Sequence, residues 1–245
     1  MMTLYQSSPL TLPRIITIYF GQGLLFAFFI FLAYKILKRD RKRLNLIFSG
    51  FFLSAVIGNL INFIYAPIDN PEIVLILNFL TNFGIFYAPI FLVVFDLILL
   101  KSEKIITTAK QLLVLIIFGI AMFGMFFLLF IPGYGVEINA LTNWSPVWSP
   151  YFFLYVILVE TIGAVIPIFY LSIKVYNKFE DDVLQKKWKY FIYGFSALAV
   201  FMYGIFVSNT LNNATFRIIM GFIGLILALV GGYLMYYGVG RSLSK

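Results

Sequence analysis

The chain has 245 residues, 62% hydrophobic and 11% charged, with a formal net charge of +8 and a mean hydropathy of +0.98. That balance is too apolar for a soluble domain. The lack of Cys and His excludes disulfides, thiolate nucleophiles, Cys/His metal sites and an imidazole base, and no cofactor is expected.

The first apolar run, 15–36, carries no charge before Lys35. At ~1.5 Å per residue, such a helix crosses a hydrocarbon core ~30 Å thick. Residues 1–14 lack the charged start of a secretory signal, and the run behind them is longer than a signal's apolar core. The first span is therefore expected to stay in the mature chain. It runs into Lys35, Lys38, Arg39, Arg41, Lys42 and Arg43, diluted only by Asp40. Clustered positive charge at a span's end holds that end in the cytoplasm.

Further spans are expected at 44–66, 73–100, 112–131, 151–173, 190–207 and 218–237. The reading is an all-α membrane protein, a single seven-helix bundle over 1–245. Its N-terminus is expected outside and its C-terminus in the cytoplasm, as a multi-pass protein of the cell membrane. Sixteen of the eighteen basic residues then fall on inner segments, leaving only Arg14 and Arg217 outside. That bias accounts for the net charge without nucleic acid, since the aromatic residues lie in the apolar runs, away from Lys and Arg. Trp144, Trp148 and Trp188 fall at expected membrane interfaces. Spans 1–3 and 5–7 are faintly alike, each with a basic inner loop followed by an aromatic-glycine step (Phe48-Ser49-Gly50-Phe51; Tyr193-Gly194-Phe195). A parallel repeat around a linker helix has that form.

Polar residues within the spans are the candidates for function. Gln22, Asn59, Asn62, Asn78, Thr81 and Asn82 all fall in the outer half, and Ser49, Ser54, Ser172 and Ser196 in the inner half. Asn59 and Asn62 share a helix face, as do Asn78 and Asn82. Two readings stay open for these carboxamides: hydrogen bonds that tie helices together, or the lining of a polar pocket. Glu160 lies about nine residues below Tyr151, near the midplane, with no Lys or Arg at its depth. An intramembrane acid is a functional candidate by default. Pro167, on nearly the same face, can bend the helix beside it. The expectation is a cavity enclosed by helices 2, 3 and 5, open to the outside and lined by Asn59, Asn62, Asn78, Asn82 and Glu160, with Gln22 nearby. Asp96 reads as a snorkelled interfacial residue paired with Lys101 and Lys104.

Weaker signals complete the pass. Asn143-Trp144-Ser145 and Asn213-Ala214-Thr215 match the glycosylation sequon. Gly221, Gly224, Gly231 and Gly232 mark close helix packing. The charged stretch 174–189 reads as a solvated helix extension. The seventh span has no lysine, which excludes retinal attachment there.

Leu171–Phe195 (LSIKVYNKFEDDVLQKKWKYFIYGF) and Phe216–Arg241 (FRIIMGFIGLILALVGGYLMYYGVGR) together resemble the seven-helix sensor region at the N-terminus of archaeal and bacterial histidine kinases. The resemblance implies a bundle that senses an external or membrane signal and passes it on through the last helix. Only Ser-Leu-Ser-Lys follows Arg241, so output is expected through a separate cytoplasmic signalling protein, engaged by loops 35–43, 101–111 and 174–189. The functional expectation is a receptor-like membrane sensor without enzymatic activity. The alternative is a small-solute or ion transporter working through Glu160.

Overall fold

The computed structural model describes residues 9–240. Arg241 and Lys245, which the charge count assigns to an inner segment, lie outside the described residues, as does 1–8. Seven helices are long and apolar enough to cross a membrane. They are α1 (Leu12–Arg39), α2 (Arg43–Tyr65), α3 (Pro71–Lys101), α4 (Thr108–Leu128), α5 (Pro150–Tyr176), α6 (Asp182–Leu211) and α7 (Ala214–Val239). Large apolar side chains cover the bundle's outside: Phe20, Ile120, Phe222 and Ile226 are all more than 60% exposed. Such a surface belongs in lipid, and the chain is a multi-pass membrane protein.

Most helices outrun the spans expected from hydropathy, because a helix ends at its caps and not where lipid ends. Asn70 accepts from the Glu72 and Ile73 amides ahead of α3, with Pro71 in the first turn. Ser149 accepts from Phe152 ahead of α5, and Asn213 from Phe216 ahead of α7. Asp181 accepts from Val183 at 2.7 Å and from Leu184 at 3.1 Å. That cap starts α6 eight residues before the expected 190, so much of the charged stretch 174–189 is helix. The loop left between α5 and α6 is only 177–181.

The helices pack in a ring. α2 lies on α1 and α3, α5 on α3, α4 and α6, and α7 on α6 and α1. Two crossings are glycine on glycine. A Cβ on Gly58 of α2 would meet the Thr81 carbonyl at 2.6 Å, and Gly84 of α3 lies against Gly58. A Cβ on Gly231 of α7 would meet the Gly194 carbonyl of α6 at 2.6 Å. Without a hydrophobic driving force in lipid, such close backbone approach is what dispersion packing rewards. The paired glycines of the sequence repeat do not match, however. Gly194 faces α7 backbone, whereas Gly50 faces the Phe91 ring of α3.

Two helices are irregular near mid-length. In α3, Pro89 removes an amide, and Tyr87 and Ala88 separate two helical halves, with Ala88 bonding back only three residues to Ile85. In α5, Thr161–Val165 is a π-helical turn, and the Ile166 amide reaches back to the Thr161 carbonyl. The wider turn relieves the clash of Pro167 with the preceding turn. The kink expected at Pro167 therefore takes the form of a π-turn beginning next to Glu160.

The basic end of the bundle carries the turns 40–42, 102–107 and 177–181. At the opposite end, 129–149 folds as a cap. A hairpin of β1 (Val136–Glu137) and β2 (Val147–Trp148) brackets a short turn boxed by Asn139 and Thr142. Arg217 donates to the Pro146 carbonyl at 2.6 Å and to the Ser208 carbonyl at 3.3 Å, tying cap to bundle. Of the two sequons, Asn143 is exposed and Asn213 is occupied as a helix cap. All three tryptophans, expected at the membrane interfaces, are buried, Trp188 beneath stacked rings of Phe95 and Phe191. Their depth near the span ends follows the sequence. Their direction follows the packing.

Candidate functional site

The intramembrane polar residues sort into three groups. The first joins α1, α2 and α3 in the half away from the basic end. Gln22, brought round by the π-helical stretch Ile16–Gln22, accepts from the Asn62 amide through a very short hydrogen bond. Asn78 donates to the Tyr65 hydroxyl at 2.8 Å and accepts from Asn82 at 3.0 Å. Asn59 and Thr81 are buried in the same layer; the Thr81 hydroxyl has no partner. Tyr65 escaped the sequence reading, although it stands one turn beyond Asn62 on the same face.

The second group surrounds Glu160. On α5, Phe152, Val156 and Glu160 follow at four-residue spacing, and all three are completely buried. Neither carboxyl oxygen of Glu160 has a hydrogen-bond partner. The next residue, Thr161, shares a 2.6 Å hydrogen bond with Tyr203 of α6. One to two turns toward the capped end, aromatic rings form a closed layer. Phe86 of α3 meets Phe206 of α6 at 4.8 Å, and Trp148 meets Phe152 at 5.0 Å and Phe206 at 5.5 Å. The Trp148 indole N–H inside this layer is itself unpartnered.

The expected open cavity is therefore overturned. A carboxyl lining an open cavity would be accessible, and Glu160 is 0% exposed. Asn62, Asn78 and Asn82 are spent on partners in α1 to α3, and α3 stands between α2 and α5. The physical reason lies in the aromatic residues. Depth along each helix was legible, but Phe86, Phe152 and Phe206 interlock and fill the route that polar residues were expected to line. For Gln22, Asn62, Asn78 and Asn82 the hydrogen bonds are links between helices or turns, ~0.6–2 kcal/mol each.

The third group corrects the reading of Asp96. It is 0% exposed and makes no ion pair with Lys101 or Lys104. Its Oδ2 accepts from the Ser172 hydroxyl at 2.5 Å, and the Ser172 carbonyl accepts from the Trp188 indole at 2.8 Å. Asp96 sits beside Phe95, whose ring turns toward Phe48 and Phe191, so its helix face is fixed inward and snorkelling is blocked. Its Oδ1 remains unpartnered. Removing the one donor should be costly, since it strips the last partner from a buried polar group. Ser172→Ala is expected to destabilise the bundle by ~1–3 kcal/mol, read as a lower melting temperature in detergent. Asp96→Asn, which can still accept from Ser172, should lose less.

Glu160 and Asp96 are separate sites. Glu160 and Ser172 are twelve residues apart on α5, ~18 Å along the axis, and the α5 residues between them that turn inward are Ala164, Val165, Ile168 and Leu171. Glu160 and Asp96 therefore do not form a carboxyl pair with each other. Among the described residues no group of three metal-ligating side chains occurs.

No protein-family model, curated protein or solved structure matches the chain.

Proposed function

We propose that the chain is a receptor-like membrane sensor, its α1 start outside the cell and its basic end in the cytoplasm, as the placement of Lys and Arg favours. The observation that carries this reading is Glu160, a fully buried carboxyl with no hydrogen bond. It stands beside the π-turn of α5, which packs against the second half of α3. Nothing around it offsets the desolvation of a charged carboxylate, so its state is sensitive to small shifts of α5 against α3 and α6. Such a point suits a two-state element better than a rigid support.

α3 is the natural transmitting helix. It carries Asn78 and Asn82 in the outer polar layer, the Tyr87-Ala88 break at mid-length and Asp96 toward the basic end. A ligand or membrane change that disturbs the outer layer would move the lower half of α3 and, through Ser172 and Trp188, the ends of α5 and α6. A cytoplasmic partner at loops 102–107 and 177–181 would read that movement.

The same unpartnered carboxyl favours one second reading, a transporter that loads a proton or cation at Glu160. A photo-crosslinker placed in loop 177–181 of the chain in its native membrane distinguishes them. The sensor reading expects a defined cytoplasmic adduct that Glu160→Gln weakens or removes. An adduct pattern indifferent to Glu160→Gln, together with proteoliposome ion flux that this variant abolishes, would replace the sensor with the transporter.

A further inference from the structure

α6 changes character at Lys189. Asp182, Lys186, Lys187 and Lys189 charge its first turns, and no charged residue follows from Tyr190 to Leu211. A groove of about 420 Å³ straddles that boundary, lined by Asp182, Gln185, Lys186, Lys189, Tyr190 and Tyr193. These positions recur at three- and four-residue steps, so they form one helix face. Two tyrosines flank it: the Lys189 ammonium stands 5.4 Å over the Tyr176 ring of α5, and Tyr190 meets the Tyr237 ring of α7 at 5.3 Å. Beyond Tyr193 (61% exposed), the outward face continues over exposed Val200, and Tyr233 and Val230 of α7 are exposed as well.

We propose that this groove binds an acidic phospholipid, with the phosphate on Lys186 and Lys189 and the acyl chain lying along Tyr193 and Val200. The charge complementarity is specific. Neither lysine has a carboxylate within ion-pair distance, the sole salt bridge among the described residues being Lys42–Asp40. Amphipathic tyrosine rings at the charged-to-apolar step sit where headgroups meet chains. A soluble anion has no use for the apolar continuation; a lipid fills both parts. Asp182, at the water-facing end, repels a second phosphate and accepts from a hydroxyl. The fitting headgroup is therefore a single phosphodiester bearing hydroxyls, of the phosphatidylglycerol type, rather than a polyphosphorylated one.

Native mass spectrometry of the full chain, released from nanodiscs of mixed phosphatidylglycerol and phosphatidylcholine, tests the site. The wild-type chain is expected to retain one phosphatidylglycerol in preference to phosphatidylcholine, undisplaced by millimolar inorganic phosphate. Lys186→Gln with Lys189→Gln should weaken that retention about 30-fold, the effect of taking two lysines from an anionic surface. Lys35→Gln with Lys38→Gln, an equal charge change on α1 at the same end, should leave it intact. Both pairs are exposed, so equal melting temperatures confirm that each variant folds. Equal loss in the two variants would reduce the effect to general surface charge and overturn the proposal. So would undiminished retention in the α6 variant, displacement by phosphate, or a preference for polyphosphorylated lipid.

Discussion

Glu160→Leu is expected to raise the melting temperature of the purified protein while removing its response to signal. The wild-type carboxyl is 0% exposed and makes no hydrogen bond. A polar acid at the centre of a span is unfavourable by ~2.5–3.5 kcal/mol on insertion scales, and leucine there is mildly favourable. Val156 and Ala164, buried on the same face of α5, already form an apolar surround. A stability gain of that size corresponds to about 5–14 °C for a chain of this length. Stabilisation with loss of function is the pattern expected when an unpartnered buried polar group is kept for what it does. A lower melting temperature would show instead that Glu160 holds a structural partner in the membrane, and a stabilised variant with normal output would remove it from the mechanism.

Gly231→Ala is expected to destabilise the bundle strongly for a change of a single methyl group. The added Cβ would stand 2.6 Å from the Gly194 carbonyl, and Leu198 and Ala197 close the space on either side at 3.1 and 3.2 Å. Backbone cannot step aside as a side-chain end can, so α6 and α7 must separate along a crossing that in lipid rests on close contact. Overpacking of this kind typically costs ~1–3 kcal/mol, and here the upper end is expected, as a melting temperature lowered by several degrees. Gly221→Ala, ten residues earlier on α7, meets nothing within 4 Å. It should be neutral or stabilising by up to ~1 kcal/mol, through helix propensity alone. Equal losses in both variants would show that helix propensity, and not the crossing, governs the effect. The sequence grouped Gly221 with Gly224, Gly231 and Gly232; only the packing separates it from them.

The pattern of legibility follows from which quantities are local. Hydropathy runs and the clustering of Lys and Arg depend on consecutive residues, so seven spans could be read directly. The caps at Asn70, Ser149 and Asn213 are short-range signals as well, and were available in principle. Asp181 begins a helix outside the apolar run, which a hydropathy window cannot see but which the charged stretch 174–189, read as a solvated helix extension, signalled. Depth along a span is also local, and it placed Glu160 and the asparagines at sensible levels.

What each residue faces is not local. Asn78 finds Tyr65 across α2, Gln22 finds Asn62, and Asp96 finds Ser172, seventy-six positions away. Each partnership is decided by the rotation of one helix against another, and that rotation is set by glycine crossings and interlocking rings with no signature in a single run. The aromatic layer of Phe86, Trp148, Phe152 and Phe206 draws on three helices and a hairpin. It closes the route that polar depth alone suggests. The sequence by itself therefore determined that this chain has seven helices long and apolar enough to cross a membrane, where its charges gather and how far along each helix its polar groups lie. Only the tertiary structure decided which of those groups are spent as bonds and which, above all Glu160, are left unpaired, because pairing is a property of helix faces brought together from distant parts of the chain.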